Sequence, residues 1–466
     1  MITHNHASAV AKLAIILLFL LMPSFMPISI APSALAEEAA PRGKLVKVVM
    51  LSRHGVRAPI PSQSELATWT ELRWPFWYCS GKPDFTTPCD SGELTPRGLT
   101  LAEQMGTYYR TYLSEFLPPG QCPEVHEVFF WADTMQRTEE TGLALLRGFR
   151  PPPCDGSKYF HKAQTSPDRI FHPVTADGKC KLHPERAERE IMTRAGGSLS
   201  NVVQALELEL KTAQHTLQCC PSDRQSGLCQ TTWSKTCGRS PPPPKTCTLT
   251  HSLVSCLVRH PDPPQTPTQV NLGGALRVAS TFAEILLLEY ANGFPLSEVG
   301  WGRITREQMT SIFRLHAKAF DLEQRTPYIA SLQGSMLMQK MLHALNDETD
   351  GQPGSAPPGA KFVAYVGHDT NIANVAGMLS LSWLQPGYQS NQTPPAGALI
   401  FEVRQTDDGA RNVHAYYAAQ SLDDMHKVTG TTAIRTPVPI SVCPNGSACS
   451  PREFAKRVKL DPDCAQ

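Results

Sequence analysis

The sequence predicts an α/β fold, with a central, mostly parallel β-sheet covered by helices and interrupted by a smaller, inserted α-helical domain. Two observations support this prediction. Short apolar runs near both ends of the chain have the pattern of strands that are buried on both faces, as a helix-covered parallel sheet requires. Between them, residues 181–322 contain helical patterns and few strand-like segments. We therefore expect an α/β domain built from residues 37–180 and 323–466, with the helical domain inserted at 181–322.

The individual elements are predicted from these patterns in chain order. In the α/β domain we expect strands over Lys44–Leu51, Glu127–Trp131, Lys361–Val366 and Ala398–Arg404. Helices are expected over Pro96–Leu117, with Thr95 as N-cap, and over Glu139–Phe149. A further helix, capped by Asp369 or Thr370, is expected to run through Leu379. In the inserted domain, helices are expected over Ser198–Leu217 and Ala275–Tyr290, on either side of a Cys- and Pro-rich insertion near residues 219–256.

Length and charge exclude several classes of protein. The chain has 466 residues, of which 41 % are hydrophobic, so it buries a large core, unlike a disordered or fibrous protein. Its 43 Lys and Arg residues balance 42 Asp and Glu residues. A nucleic-acid partner is not expected, because such proteins normally carry clustered positive charge.

The N-terminus has the features of a secretory signal peptide. Lys12 precedes an uncharged apolar run, Leu13–Met22, and Ala34-Leu35-Ala36 is a small-x-small cleavage site. The alternative, an N-terminal membrane anchor, needs about 20 apolar residues, whereas this run is shorter and Pro23 and Pro27 follow it. We predict a signal peptide at residues 1–36, export to the periplasm or the medium, and no membrane span after cleavage.

The chain contains 14 cysteines, an even number, and all of them follow the predicted signal peptide. Cysteines of an exported protein are expected to form disulfide bonds. Six of them lie between Cys219 and Cys256, and no pair has the CxxC spacing that is common in structural zinc sites. Disulfides in a surface insertion are therefore expected there, and a metal site is not.

Two predicted strands end in polar loops rich in histidine and charge. The first loop contains Arg53, His54 and Arg57, and the second contains His368 and Asp369. Ligands of open α/β sheets bind beyond the carboxyl ends of the strands. We therefore expect both loops to face one pocket.

These residue types fit the transfer of a phosphoryl group. Guanidinium groups bind phosphate oxygens in a bidentate manner, so the two arginines of the first loop and Arg137, which lies just past another predicted strand, would bind a dianion. A histidine is a nucleophile toward phosphorus, and an aspartic acid protonates the leaving alkoxide and then accepts a proton from water. A single Arg or His after a strand is more often a surface or capping residue, but the combination Arg-His-Gly-x-Arg-x-Pro is much more specific.

Six segments carry a resemblance to a known family. They are SRHGVRAP at 52–59, LTPRG at 94–98, RAGGS at 194–198, GWGRIT at 300–305, QRTP at 324–327 and GHDTNIA at 367–373. On these segments the chain resembles the histidine acid phosphatases over almost its whole mature length, and within them the bacterial periplasmic phytase and acid phosphatase group. The resemblance implies a histidine-phosphatase-like α/β core with the α-helical domain above the cleft.

The resemblance also implies a role for each candidate residue. His54 would be the nucleophile that forms a phosphohistidine, and Asp369 would be the proton donor. The residues that bind the phosphate would be Arg53, Arg57, Arg137 and His368. Further substrate contacts would come from Thr370, Arg325 and Glu284, the last at a position where related phytases have an acidic residue.

Four disulfides are implied by the resemblance: Cys122–Cys154, Cys180–Cys464, Cys229–Cys247 and Cys443–Cys449. Cys79 and Cys89 are close enough in sequence to form a local bridge. The pairing of the remaining cysteines stays open: Cys219, Cys220, Cys237 and Cys256.

The sequence favours an exported phosphatase that hydrolyses phosphate monoesters, phytate among them, through a covalent phosphohistidine. Ile60-Pro61 stands where phytase relatives usually have Thr-Lys, so a cation that helps to bind phytate is missing. A glucose-1-phosphatase or general sugar phosphatase is therefore an alternative. A catalytically inactive phosphate-binding protein is disfavoured, because the candidate nucleophile and the candidate proton donor are both present. A phosphoglycerate-mutase-like transferase is disfavoured by the predicted export and by the His368-Asp369 pair.

The resemblance implies neither a metal nor a cofactor. The expected partner is a small-molecule phosphate monoester, such as phytate or a sugar phosphate, and the protein is expected to be a monomer. We also expect an acidic pH optimum, because an unperturbed Asp369 would lose its proton above about pH 4.

Overall fold

The computed structural model describes residues 43–465, apart from 68, 71, 80–88, 119, 151–153, 175–179, 219–254, 261–266 and 445–447. The predicted signal peptide and most of the Cys- and Pro-rich insertion lie outside the described residues. Among the helices that are described, none has the length and apolar character needed to cross a membrane.

A seven-stranded sheet forms the centre of the α/β part. Its strands are β1 (Lys44–Arg53), β2 (Val128–Ala132), β3 (Phe160–Lys162), β6 (Phe362–Gly367), β7 (Ala398–Gln405), β8 (Arg411–Ala419) and β9 (Ile434–Val438), whereas β4 (Ser255–His260) and β5 (Gln269–Gly273) form a separate antiparallel pair. The strand order is β3-β2-β6-β1-β7-β8-β9. The first four strands pair in parallel, and β7, β8 and β9 extend the sheet by antiparallel pairing. The predicted sheet is confirmed, although β3, β8 and β9 were not predicted.

The described helices are α1 (Gln63–Leu66), α2 (Pro96–Tyr112), α3 (Gln136–Phe149), α4 (Pro184–Arg194), α5 (Leu199–Ala205), α6 (Glu207–Leu217), α7 (Gly274–Ala291), α8 (Arg306–Glu323), α9 (Pro327–Leu345), α10 (Asp369–Met378), α11 (Leu422–Lys427) and α12 (Pro451–Arg457). Thr95 caps α2 as predicted, since its side chain accepts a hydrogen bond from the amide of Gly98 at 3.0 Å. The helix predicted over Ser198–Leu217 is in fact two helices, which meet at Leu206.

Helices cover both faces of the sheet. On β1, Val48 and Met50 face a core shared with α2 and α3, whereas Val49 and Leu51 face a second core shared with α9 and α10. Because successive side chains of a strand point to opposite faces, a strand buried on both sides has a continuous apolar sequence. This is why β1 was recognisable in the sequence.

The helices α4 to α8 pack around a third core, which also contains Val56 and Trp74 from the loops after β1. Helix α7 lies within this core, and nearly all of its residues are buried. The structure thus has a helical region where the sequence predicts an inserted domain, and the boundaries at 180 and 323 stay predictions.

Disulfides join four of the predicted cysteine pairs: Cys79–Cys89, Cys122–Cys154, Cys180–Cys464 and Cys443–Cys449. The predicted Cys229–Cys247 bond lies outside the described residues. Cys256, on β4, is also disulfide-bonded.

Candidate active site

The two predicted catalytic loops meet because their strands are neighbours. Strands β1 and β6 pair in parallel, with Arg53 opposite Gly367. The amide of His54 donates a hydrogen bond to the carbonyl of Gly367 at 2.9 Å. Consequently His368 and Asp369, which directly follow β6, lie beside Arg53 and His54.

Strand β2 pairs with β6 on its other side and supplies two more residues at the same edge. Asp133 directly follows β2, and Arg137 lies in the first turn of α3. The sequence predicted that α3 begins at Glu139; it begins at Gln136, so Arg137 is fixed by a helix rather than by a loop.

Gly55 allows the first loop to pack closely against α2. A Cβ atom at this position would lie 2.8 Å from the carbonyl oxygen of Gly98. The amide of Gly55 donates to the hydroxyl of Thr141 on α3, at 2.9 Å. The loop that carries the candidate nucleophile is therefore held by two helices.

His54 has the properties of a nucleophile. It is 1 % exposed, and its Nδ1 lies 2.8 Å from the carbonyl oxygen of Gly55. Since a carbonyl only accepts, Nδ1 carries the proton and Nε2 carries the free electron pair. Burial lowers the pKa of His54 well below its ordinary value, and the nearby arginines, Arg137 foremost, lower it further. Both effects favour the neutral ring, in which the electron pair on Nε2 is free to attack.

Three arginines converge beside this ring. Arg53 is fully buried and Arg57 nearly so. Burial lowers the pKa of Arg57, and it lowers the pKa of Arg137 to about 10, an effect to which the charge of Arg57 adds. Each of the three has a buried Nε without a hydrogen-bond partner among the described residues. Buried cationic donors with unused capacity favour an anionic ligand.

His368 is held by Asp133. It forms the N-cap of α10, in place of the predicted Asp369 or Thr370. Its Nε2 lies 2.7 Å from Oδ2 of the fully buried Asp133, and its Nδ1 lies 3.4 Å from Nη2 of Arg137. Burial lowers the pKa of His368 to about 4; the hydrogen bond to Asp133 opposes this shift and the charge of Arg137 adds to it.

Asp369 forms an ion pair with Arg53. The distance from its Oδ2 to Nη2 of Arg53 is 2.9 Å. Burial by itself would raise the pKa of Asp369, but Arg53 and Arg57 outweigh burial and hold it well below the ordinary range. With these neighbours Asp369 is a carboxylate even near pH 4. The predicted acidic optimum therefore cannot rest on the ordinary pKa of Asp369.

Glu284, on α7, places a second carboxylate against the arginines. Its Oε1 accepts a hydrogen bond from Nη2 of Arg53 and lies 3.7 Å from Nη2 of Arg57. Its Oε2 lies 3.5 Å from Nε2 of His316 on α8. Glu284 thus contacts the groups that would bind the phosphate.

Of the other two predicted substrate contacts, Thr370 adjoins this cluster, because its amide donates a hydrogen bond to Oδ1 of Asp369 at 2.9 Å, and Arg325 contacts other segments. Thr370, at the start of α10, lines a cavity of about 230 Å³ together with residues of α7 and α8. Arg325 is buried, donates a hydrogen bond to the carbonyl of Leu381, and lies 5.8 Å from the ring centre of Trp383. Burial lowers the pKa of Arg325 to about 10. These contacts hold the segment before α9, and a contact between Arg325 and the substrate stays a prediction.

Three residues of the cluster were not predicted: Asp133, His172 and His316. Asp133 directly follows a predicted strand, so the argument that selected Arg137 applies to it as well. His172 lies in an irregular segment and His316 on a helix, and neither has a local sequence signal. Only the tertiary structure brings them to the site.

Within the part of the chain that the structure describes, two groups of side chains have the atoms to bind a metal ion: Asp133, His172 and His368, and Glu284, His316 and Asp369. Within each group the ligand atoms lie within 4.8 Å of one another. Arginine cations lie beside both groups and oppose the binding of a divalent cation. The expectation of a metal-free enzyme stays a prediction.

We expect Glu284→Gln to tighten the binding of inorganic phosphate. The carboxylate offsets the charge of Arg53 and Arg57, and glutamine keeps the shape without the charge. The inhibition constant of inorganic phosphate at pH 5 should fall about 3- to 10-fold, since a unit charge at this distance from an anion is worth roughly 1 kcal/mol or more.

Glu289→Gln is a matched control on the same helix. Glu289 is also buried and accepts a hydrogen bond from the amide of Gly300, away from the arginines. Burial raises its pKa to about 8, so it is already neutral at pH 5. Its replacement should leave the inhibition constant within twofold, and weaker phosphate binding by Glu284→Gln would contradict the prediction.

Comparison with known proteins agrees with this geometry. A sequence profile of the histidine phosphatase superfamily (branch 2) matches residues 44–232 and 293–418. Phytase AppA of Escherichia coli (strain K12) is 33 % identical over 409 residues, which cover 86 % of this chain and 87 % of that protein. A glucose-1-phosphatase of Salmonella typhimurium is 25 % identical over 88 % of this chain and 91 % of its own length. The solved structure of Hafnia alvei phytase is similar with a TM-score of 0.76 at 33 % identity, covering 91 % of this chain and 99 % of that one. The chain belongs to branch 2 of the histidine phosphatase superfamily.

Proposed function

We propose that this protein is an exported acid phosphatase that hydrolyses phosphate monoesters, phytate among them, through a covalent phosphohistidine at His54. The observation that carries the proposal is the buried imidazole of His54 among three arginines, with the carboxylate of Asp369 in the same cluster. Its relatives are phosphatases, which supports the class of reaction.

In the first step, Nε2 of His54 attacks phosphorus. The guanidinium groups of Arg53, Arg57 and Arg137 bind the phosphate oxygens and stabilise the charge of the transition state. The negative charge of the bound phosphate raises the pKa of His368, so that its Nδ1 takes up a proton from solvent and donates a hydrogen bond to a phosphate oxygen. The new bond joins Nε2 to phosphorus, and the bond from phosphorus to the ester oxygen breaks. The carbonyl of Gly55 stabilises the proton on Nδ1 as the ring becomes positive.

The substrate brings the proton that the leaving group needs. A phosphate monoester has a second pKa of about 6, so in acid it is a monoanion that carries one proton. Its bound charge offsets Arg53 and Arg57, the cations that hold the pKa of Asp369 low. Asp369 then accepts the proton and donates it to the leaving alkoxide. The rate should therefore fall above about pH 6, as the monoanion is lost.

In the second step, water attacks the phosphohistidine. Asp369, now a carboxylate again, accepts a proton from the water as the new oxygen–phosphorus bond forms. The bond between phosphorus and Nε2 breaks, and its electron pair returns to His54. Asp369 then passes this proton to the departing phosphate, which leaves as a monoanion. Asp369 is again a carboxylate and His54 again neutral, so atoms and charge balance without a cofactor.

Phytate is the favoured substrate, and a sugar phosphate is the second candidate. A phytase of Hafnia alvei was solved in complex with myo-inositol hexakis sulphate, at 33 % identity to this chain. The second candidate rests on Ile60-Pro61, just beyond the phosphate-binding loop, where phytase relatives usually have Thr-Lys. Pro61 stands at the lysine position, so a substrate with several phosphates gains no additional cation there.

A substrate panel tests the proposal. We expect the purified mature protein to hydrolyse phytate with a higher kcat/KM than glucose 1-phosphate near pH 5, and to lose activity above about pH 6. Pro61→Lys should raise kcat/KM on phytate about 3- to 10-fold and leave glucose 1-phosphate within twofold, because only the multiply charged ester gains an ion pair. Pro61→Gln is the uncharged control, which also removes the proline. A large preference for the sugar ester would favour the second candidate.

A further inference from the structure

Asp133 is shared by two imidazole rings, and only one of them has a role in the mechanism above. His172 lies beyond β3, and its Nε2 is 2.9 Å from Oδ2 of Asp133. The same oxygen is 2.7 Å from Nε2 of His368. The centres of the two rings are 5.5 Å apart. One carboxylate oxygen therefore accepts two hydrogen bonds from two histidines.

This arrangement determines where the protons are. Asp133 is fully buried, and burial by itself would raise its pKa; its hydrogen bonds to His172 and His368 outweigh burial and hold the pKa well below the ordinary range. Asp133 is thus a carboxylate, which only accepts, so both rings carry a proton on Nε2. The other nitrogen of His368, Nδ1, lies 3.4 Å from Nη2 of Arg137. In the proposed mechanism it is this nitrogen that binds the phosphate, once it has taken up a proton.

We propose that His172 is a positioning residue for phosphate binding, and that it acts by holding Asp133 in the orientation that fixes the ring of His368. The carboxylate has few other contacts: its Oδ1 accepts from the amide of Thr134 at 2.8 Å. With His172 as second donor, Oδ2 stays directed at both rings. The inference rests on the proposed role of His368 in binding the phosphate.

The position of His172 supports such a role over a purely structural one. Its side chain is 29 % exposed, so it adds little to the core, whereas Asp133 is fully buried. Removing a donor from a buried carboxylate leaves part of its hydrogen-bonding capacity unused, which favours a different rotamer of Asp133. The ring of His368 would then lose its fixed partner, although it is itself nearly buried.

The effect should appear in binding rather than in the chemical step. His368 contacts the phosphate both in the bound substrate and in the transition state, and the loss of such uniform binding raises KM while kcat stays nearly unchanged. A single hydrogen bond in this setting is worth about 3- to 10-fold in affinity. A general loss of structure would instead lower kcat and the melting temperature together.

The test compares His172→Phe with His172→Gln. Phenylalanine keeps a ring of similar size without a donor, and glutamine keeps a donor at a similar distance from the backbone. We expect His172→Phe to raise both KM for an aryl phosphate and the inhibition constant of inorganic phosphate about 3- to 10-fold at pH 5, with kcat within about twofold. His172→Gln should restore both constants to within about twofold of wild type.

Two further variants make the outcome specific. His161→Phe is the matched control, because His161 stacks on Phe129 at 5.0 Å between ring centres and lies on β3. KM and the inhibition constant of inorganic phosphate should not change in His161→Phe. His368→Gln tests the role on which the inference rests. If His368→Gln weakens phosphate binding and His172→Phe does not, the inference on His172 is wrong; if His368→Gln leaves phosphate binding unchanged, the proposed role of His368 is wrong.

The inference would also be overturned if His172→Phe and His172→Gln weakened phosphate binding equally, because the effect would then not depend on a donor at position 172. A fall in kcat at constant KM would overturn it as well, because the inference expects a change in binding. Melting temperatures accompany each measurement. If His172→Phe does not fold, His172→Met replaces it, because methionine also lacks a donor and its flexible side chain adapts to the space.

Discussion

His54→Ala should abolish turnover, with kcat for an aryl phosphate at least about 10⁴-fold below wild type. No other group can take the place of the nucleophile in this mechanism. Without His54, water would have to attack the ester directly, although the surrounding side chains are arranged for an attack from Nε2. Rapid quenching of the wild-type enzyme with labelled substrate should trap an acid-labile covalent phosphate, and the variant should trap none.

The same variant should still bind phosphate. Arg53, Arg57 and Arg137 remain in place, so the dissociation constant of inorganic phosphate should stay within about fivefold of wild type. His414→Ala is the control, because His414 is half-buried on β8 and takes no part in the cluster. Turnover by His54→Ala, or a wild-type protein that binds phosphate without any turnover, would contradict the mechanism; the second result would favour an inactive phosphate-binding protein.

Asp369→Asn should lower kcat by about 10²- to 10⁴-fold, the usual contribution of a general acid or base. The loss should depend on the leaving group. An alkyl phosphate needs a proton on its departing oxygen and should show the full effect, whereas a nitrophenyl phosphate leaves as a stable phenolate and should show a smaller one in the first step. Measuring kcat for both esters with both enzymes tests this prediction.

The second step offers a further check on Asp369. Its carboxylate also activates the water, so the asparagine variant should accumulate the covalent intermediate when the leaving group is good. Asp350→Asn is a suitable control: Asp350 forms an ion pair with Lys340 at 2.9 Å. An equal loss of kcat for both esters, with no accumulated intermediate, would contradict the role of Asp369 as proton donor.

Much of the fold was predictable because the buried parallel strands have continuous apolar sequences. Strand β9 was missed because Pro437 interrupts it; proline lacks the N–H that a central strand needs, and β9 is indeed the edge strand of the sheet. Strand β3 has only three residues, too few for any period to show. Both strands depend on pairing with a neighbour that the local sequence does not reveal.

In the candidate site, too, some properties were predictable from the sequence and others depend on contacts between distant segments. Arg53, His54, His368 and Asp369 were predictable because they lie at or directly after the ends of strands that are adjacent in the sheet. The ionisation states were not. The pKa of Asp369 depends on Arg53, which is distant in sequence, and the acceptor of His368 is shared with His172 from a third segment. Such properties belong to the packed cluster and have no counterpart in a single stretch of sequence.

The parallel pairing of β1 with β6 also has a consequence for biosynthesis. Arg53 and Gly367 pair directly, although 367 − 53 = 314 positions separate them. Pairing over so long a stretch closes a large loop, which is a slow, late event in folding. A nascent chain therefore carries its nucleophile for most of its synthesis without the groups that complete the site. Chains that end before residue 367 should have no phosphatase activity, and active enzyme should appear only once the whole α/β domain has formed.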